Sequence, residues 1–158
     1  MPPKGEIGGA AEAGIDWEPK SAGVDFAIAA TFSATTTFDG YSVDYIHDGN
    51  LQLGLEGQSW TNAWDTPDLP ATIDIDLGQP RQFSRVDFYT STGNEIAAFD
   101  IDWHDGTDWI NIAVVTGNTQ GHLVYVFPAV VARELRIIAR KGPTGQPNWA
   151  RVNEVLIH

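Results

Sequence analysis

Twenty-one acidic side chains supply most of the reactive chemistry in this chain. Asp74 and Asp76, and again Asp100 and Asp102, sit two apart and share a strand face, as the acid–base pair of a glycoside hydrolase must lie together in space. Both pairs are interleaved with apolar residues, which reads more simply as the solvated side of a sheet. Asp100-x-Asp102-x-x-Asp105-Gly106 imitates a calcium loop but has one residue too many before its third aspartate. Ser59 lies in Gly-Gln-Ser-Trp-Thr, which is not a nucleophile elbow. The four histidines, 47, 104, 122 and 158, are far apart and lack metal-ligand spacing. Gly8–Gly14 lacks the Lys-Ser/Thr of a phosphate-binding loop. With no cysteine there is no thiolate chemistry and no disulfide framework. No enzyme is expected.

The acidic balance leaves room for sites for cations and neutral polar ligands, and an aromatic face with planar polar side chains beside it is what grips a ligand of the latter kind. Tyr41, Trp64 and Trp149 are candidate platforms; Asn94, Arg140, Asn148 and Arg151 are candidate hydrogen-bonding partners. Trp64 and Trp149 stand among Asn, Asp, Pro and Gly, whereas Trp60, Trp103 and Trp109 read as core. Arg133 and Arg136 fit a sheet surface. The plainer alternative is that Arg140, Lys141 and Arg151 offset nearby carboxylates. Arg133, Arg136, Arg140, Lys141 and Arg151 fall within 133–151 and no basic residue falls in 21–80, so the C-terminal loop is suited to an acidic partner or a sugar.

Strands must position these residues. In Phe99–Val115, Phe99, Ile101 and Trp103 alternate with Asp100, Asp102 and His104; beyond Asp105-Gly106, Ile110, Ile112 and Val114 resume the period of two. Alternation on both sides of an Asp-Gly pair predicts a β-hairpin. Thr31–Phe38, Ala71–Leu77, Arg85–Tyr89, His122–Phe127, Arg133–Ala139 and Arg151–Ile157 read as further strands, punctuated by Gly78-Gln79-Pro80, Gly117-Asn118, Pro128 and Gly142-Pro143. If successive strands are antiparallel, their connections alternate between two ends. One end takes the hairpin turn with Gly78–Ser84 and Pro128–Ala132. The other collects Asp39–Asp44, Thr61–Pro70, Thr90–Glu95, Thr116–Gly121 and Arg140–Ala150, and with them Tyr41, Trp64, Asn94, Asn118, Arg140, Lys141, Asn148 and Trp149, with Arg151 at its border.

A length of 158 residues suits one domain with an appendage. Scattered Gly, Pro, Thr, Asn and Asp without helical periodicity favour an all-β protein. A net charge of -12 argues against nucleic acid or an anionic membrane surface as main partner. No apolar run is long enough to span a bilayer, so no membrane insertion is expected. Residues 1–30 read as an extended N-terminal arm, rich in Gly and Pro yet carrying Ile7, Ile15, Trp17, Val24, Phe26 and Ile28. No signal peptide is evident at the N-terminus. An apolar arm without a leader leads us to expect a virion or other particle surface, with neighbouring subunits of an oligomeric assembly contacting residues 1–30.

The ordered motifs resemble the discoidin, or coagulation-factor type C, domain family, which includes the family 32 carbohydrate-binding modules. Asp48-Gly49-Asn50 is similar to its early Asp-Gly-Asn turn, Ser59-Trp60 to its buried tryptophan, and Ile75-Asp76-Leu77-Gly78 to an Asp-Leu-Gly strand end. Ser84-Arg85-Val86, the Phe99–Trp109 hairpin, Ala132–Ile137 and Val152-Asn153-Glu154-Val155 follow in the family's order, so the resemblance covers about residues 31–158. It implies a jelly-roll, galactose-binding-like antiparallel β-sandwich over 31–158 that binds ligands without turning them over. It also implies a structural Ca2+ between the Asp-Gly-Asn turn and a last-strand glutamate, here Asp48, Asn50 and Glu154, and oxygen donors of this kind suit calcium. Leu51–Gln58 departs from the family pattern as an insertion. Asp48 and Glu154 read equally well as caps of local turns. The expected function is a non-catalytic module for a cell-surface glycan, carried on a larger assembly such as a phage virion for host attachment. The alternative is a purely structural decoration or adaptor subunit.

Overall fold

The computed structural model describes residues 23–51, 58–63 and 69–158. Eight strands form among them: β1 (Thr31–Ala34), β2 (Trp60–Thr61), β3 (Ala71–Tyr89), β4 (Ala98–His104), β5 (Trp109–Val115), β6 (His122–Lys141), β7 (Arg151–Val152) and β8 (Glu154–Ile157). A 3-10 turn spans Val43–His47, its entry capped by the Ser42 hydroxyl, which accepts from the Asp44 N–H. All strand pairs are antiparallel. The larger sheet runs β1-β3-β6-β4-β5, with β8 also on β3, and β2–β7 form a separate ladder.

β3 and β6 are long because the expected turns within them are corners. Gly78–Ser84 and Pro128–Ala132 read as loops, yet Arg81, Gln82 and Phe83 pair with Ala132, Val131 and Val130. The ladder shifts register between Asp76 and Arg81 and again between Phe83 and Arg85. Gly78 takes φ +85°, and proline at an irregularity removes no ladder hydrogen bond, so both strands bend without ending. The bend folds the sheet into two layers around one core. Phe88, beyond the corner of β3, stacks on Phe99 of β4 with ring centroids 4.2 Å apart. Ile73, Ile75, Val86, Leu135, Ile137, Val155 and Ile157 fill the space between, each 2% exposed or less. Full burial of such side chains stabilises by roughly 1.5–3 kcal/mol each.

The hairpin forms as expected at its turn: Gly106 takes φ +102°, and the Asp105 carboxylate accepts from the Thr107 and Asp108 N–H groups at 2.7 Å. Beyond the turn the alternation is interrupted. Ile101 pairs with Ala113 and Asp102 with Asn111, leaving Ile112 as an extra residue in β5. The bulge reverses the faces that follow it, so Ala113 is 8% exposed and Val114 63%. Ile110, at 38% exposure, is not buried either, so of the three isoleucine and valine positions expected to face inward only Ile112 is partly buried.

On the outer face, carboxylates and guanidinium groups pair across strands: Asp76 with Arg133, Asp100 with Arg140, Asp102 with Arg136. Asp102 is not solvated, at 2% exposure; Asn111 also donates to it, and the Arg136 guanidinium above it lies 4.2 Å from the Trp109 ring. Trp109 thus sits on the outer face and not in the core, because it lies opposite His104 and not Trp103. Trp60 is fully buried, its indole N–H donating to the Thr36 carbonyl at 3.0 Å. The expected strand Thr31–Phe38 stops at Ala34, and Arg151–Ile157 divides at Asn153 into β7 and β8. Residues 23–30 lie against the body. Phe26 N–H donates to the Ile157 carbonyl, Asp25 accepts from the Ala27 and Ile157 N–H groups, and Ala27 is fully buried.

Candidate ligand-binding site

Among the described residues, the long connections do gather at one pole. Phe38 N–H donates to the Thr61 carbonyl, Thr90 N–H to Gly121, Asn118 N–H to Ala97, and Ala97 N–H to Lys141. Opposite them, a cavity of about 320 Å3 lies between Pro80, His104–Gly106 and Val131–Glu134, where the corners of β3 and β6 meet the hairpin turn.

At the long-loop pole three aromatic side chains meet around one cation. The Phe38 ring centroid lies 5.9 Å from that of Tyr41 and 6.0 Å from that of Trp149. The Arg151 guanidinium is 4.8 Å from the Trp149 ring centroid and donates a hydrogen bond to Tyr41. Tyr41 and Trp149 are partly buried, each keeping surface toward solvent. Arg151 is 2% exposed, and burial pulls its guanidinium below the usual range while the Tyr41 contact partly offsets that shift.

The loop carrying Trp149 is closed on itself. Gly142 N–H donates to Pro147, Gln146 N–H to Pro143, and Trp149 N–H to Gln146. A Cβ on Gly142 would collide with the carbonyls of Trp149 and Gln146, so only glycine permits this approach. Asn62, fully buried, clamps the loop from below. Its amide donates to the Asn148 carbonyl at 2.9 Å and accepts from the Ala150 N–H at 2.8 Å.

Of the expected ligand contacts, Tyr41, Trp149 and Arg151 come together. Asn148 is exposed beside Trp149, with its carbonyl taken by Asn62. Asn94 stands in a separate turn, its N–H donating to Ser91. Arg140 lies on the outer sheet face, held by Asp100 and the Val115 carbonyl. Trp64 lies outside the described residues. Sequence reasoning missed Phe38, which read as the end of a strand, and Asn62, for which the sequence carries no signal. It also missed a surface trio in which Asp87, 3% exposed, accepts from Arg85 at 2.7 Å and pairs with His122 at 2.8 Å. Burial pushes the Asp87 carboxyl up, but the hydrogen bonds from His122 and Arg85 outweigh it and hold it below the usual range.

The implied calcium residues also converge. Glu154 is fully buried; one carboxylate oxygen accepts from the Gly49 N–H at 2.8 Å, and the other is buried with no hydrogen-bond partner. Burial, with Asp48 and Asp25 nearby, raises its carboxyl to about 8 despite the Gly49 bond. Asp48 accepts from the Asn50 N–H at 2.8 Å, which closes the turn. Such an orphaned, charge-crowded carboxylate fits a cation. Among the described residues no group of three acidic or histidine side chains is close enough to hold an ion unaided, so carbonyl oxygens would have to complete the set.

The F5/8 type C domain family model matches residues 29–155. No curated protein matches the chain by sequence. Among solved structures, the family 32 carbohydrate-binding module of C. perfringens NanJ, in complex with galactose, is similar with a TM-score of 0.70 at 22% identity over 84% of this chain and 96% of that one. Chitosan-binding module 2 of a Paenibacillus sp. IK-5 chitosanase/glucanase, in complex with chitotriose, gives 0.70 at 20% over 85% and 99%. A Clostridium perfringens module, CpGH89CBM32-5, in complex with GalNAc-β-1,3-galactose, gives 0.68 at 17% over 85% and 99%. At these identities the likeness is one of fold.

Proposed function

The chain belongs to the F5/8 type C (discoidin) domain family, and from that premise we propose that it is a non-catalytic module that binds a carbohydrate at its long-loop pole. The observation that carries this reading is the grouping of Phe38, Tyr41 and Trp149 around Arg151 on a loop locked by Gly142 and Asn62. Aromatic faces that keep surface toward solvent match the C–H face of a pyranose, and the Arg151 guanidinium beneath Trp149 meets its polar edge once that ring swings aside. The structural relatives solved with galactose, chitotriose and GalNAc-β-1,3-galactose support the same reading. Titration calorimetry with a panel of oligosaccharides tests it. Binding weakened about tenfold or more by Trp149→Ala is expected from the loss of one stacking face. Absence of binding to any sugar would overturn it.

Within that reading, Asp48, Asn50 and Glu154 hold a structural Ca2+, which would supply the positive charge that the Glu154 carboxylate lacks. The ion's role is to fix the turn after the Val43–His47 segment against β8, not to touch the sugar.

Display on a larger assembly, such as a virion, through the N-terminal side is a second reading. It is favoured by Val24 and Ile28, which are 66% and 50% exposed on the segment leading into the sandwich. Removal of residues 1–22 together with Val24→Ser and Ile28→Ser should then abolish incorporation into the particle while leaving sugar binding intact. Incorporation of that variant would refute it.

A further inference from the structure

Among the described residues, three of the four buried side-chain atoms that lack a hydrogen-bond partner belong to one cross-strand pair: Nε and Nη1 of Arg151 and Oγ1 of Thr61. Thr61 and Arg151 lie directly opposite in the β2–β7 ladder, so their side chains share a face, and they are 1% and 2% exposed. Buried polar atoms are ordinarily satisfied, and a buried charge is ordinarily paired. Four of the other five arginines show what pairing looks like here: Arg85, Arg133, Arg136 and Arg140 each hold a carboxylate, although all are more exposed than Arg151, while Arg81 lies over the Phe26 ring. Arg151, the most deeply buried cation, has no carboxylate partner among the described residues and only the neutral Tyr41 phenol as acceptor.

The acceptor that the described residues do not supply should therefore be anionic, and a ligand entering at this pole can bring it. We propose that the sugar bound at this pole is an acidic one, whose carboxylate takes the free N–H groups of Arg151 while the Thr61 hydroxyl donates to it. This rests on the carbohydrate reading above and narrows it to carboxylated sugars, the uronates and sialates. The guanidinium lies beneath the partly buried Trp149 indole, so a carboxylate reaches it only as that ring shifts. Binding is thereby coupled to the environment of one tryptophan.

The experiment compares ligands that differ in charge alone. Calorimetry and intrinsic tryptophan fluorescence of the full chain are run with trigalacturonate against its methyl ester, and with 3′-sialyllactose against its own carboxyl methyl ester. One acid should bind at least tenfold more tightly than its neutral partner and change the fluorescence, and which pair responds tells uronate from sialate. Arg151→Gln should erase that preference. Should this variant misfold, Thr61→Val is expected to reduce the preference severalfold, and the wild-type comparison decides by itself. Equal affinity for the acid and neutral members of both pairs would overturn the acidic-sugar proposal and leave sugar binding standing. Failure of all four, together with the neutral panel, would overturn both.

Discussion

Glu154 is the residue where the fold holds its least comfortable charge, and its behaviour with pH has a definite sign. Its carboxyl is raised to about 8 in the folded chain, against 4.5 as the ordinary value. Between those values the native state holds a proton that the unfolded chain has lost, so stability contributed by this group is complete below pH 4.5 and falls as pH rises toward 8. A bound cation would keep the carboxylate charged and remove the loss. The melting temperature of the metal-free protein should drop from pH 5 to pH 8, and millimolar Ca2+ should restore it with a larger gain at pH 8 than at pH 5. A melting curve indifferent to Ca2+ at both values would remove the ion from the account. Asp87 has the opposite sign: its lowered carboxyl contributes stability above the ordinary range that is lost as pH falls through the folded value. At this scale the sequence was informative where a motif names its residue, as for Asp48 and Glu154. It was silent where a side chain works through a distant backbone, as Asn62 does across 86 positions to Asn148.

At the level of single elements, two local irregularities set which residues are presented. The bulge at Ile112 turns Val114 outward and Ala113 inward. Val114→Thr should leave the urea midpoint within about 0.5 kcal/mol of wild type, whereas Ala113→Asp should cost more than about 2 kcal/mol by burying an unpaired carboxylate. Equal effects would mean that the alternation continues unbroken. The Gly142–Trp149 loop makes the second case. Gly142→Ala should weaken sugar binding severalfold in calorimetry by displacing Trp149, with little change in the far-ultraviolet circular dichroism of the sheets. Alternating strands and the Asp-Gly turn were legible because side-chain periodicity is dictated by the pleat. The bulge was not, because Ile112 fits either face chemically and the extra residue shows only once β4 supplies the register. Pro128 and Gly78-Gln79-Pro80 misled for a related reason: the same residues that end a strand also bend one that continues.

For the molecule as a whole, the sequence located the loops at the correct poles even though the corners were taken for turns. A corner and a turn deliver the chain to the same end of a sandwich, so the parity of strand directions survived the misreading. The core follows the same logic. Trp60, Phe88, Phe99 and Ile137 are all buried, and Ile137→Ala should cost about 2–5 kcal/mol by denaturant titration. β3 and β6 each pass through both layers, and they pair with one another along most of their length. Two sheets joined only by loops could in principle slip or peel apart one at a time. Here each layer borrows its central rails from the other, so neither can melt while the second stays intact. Amide protons of Ile73 and of Phe88, on opposite sides of the corner, should therefore exchange with the same opening free energy, and a partner that grips the loops would slow both alike.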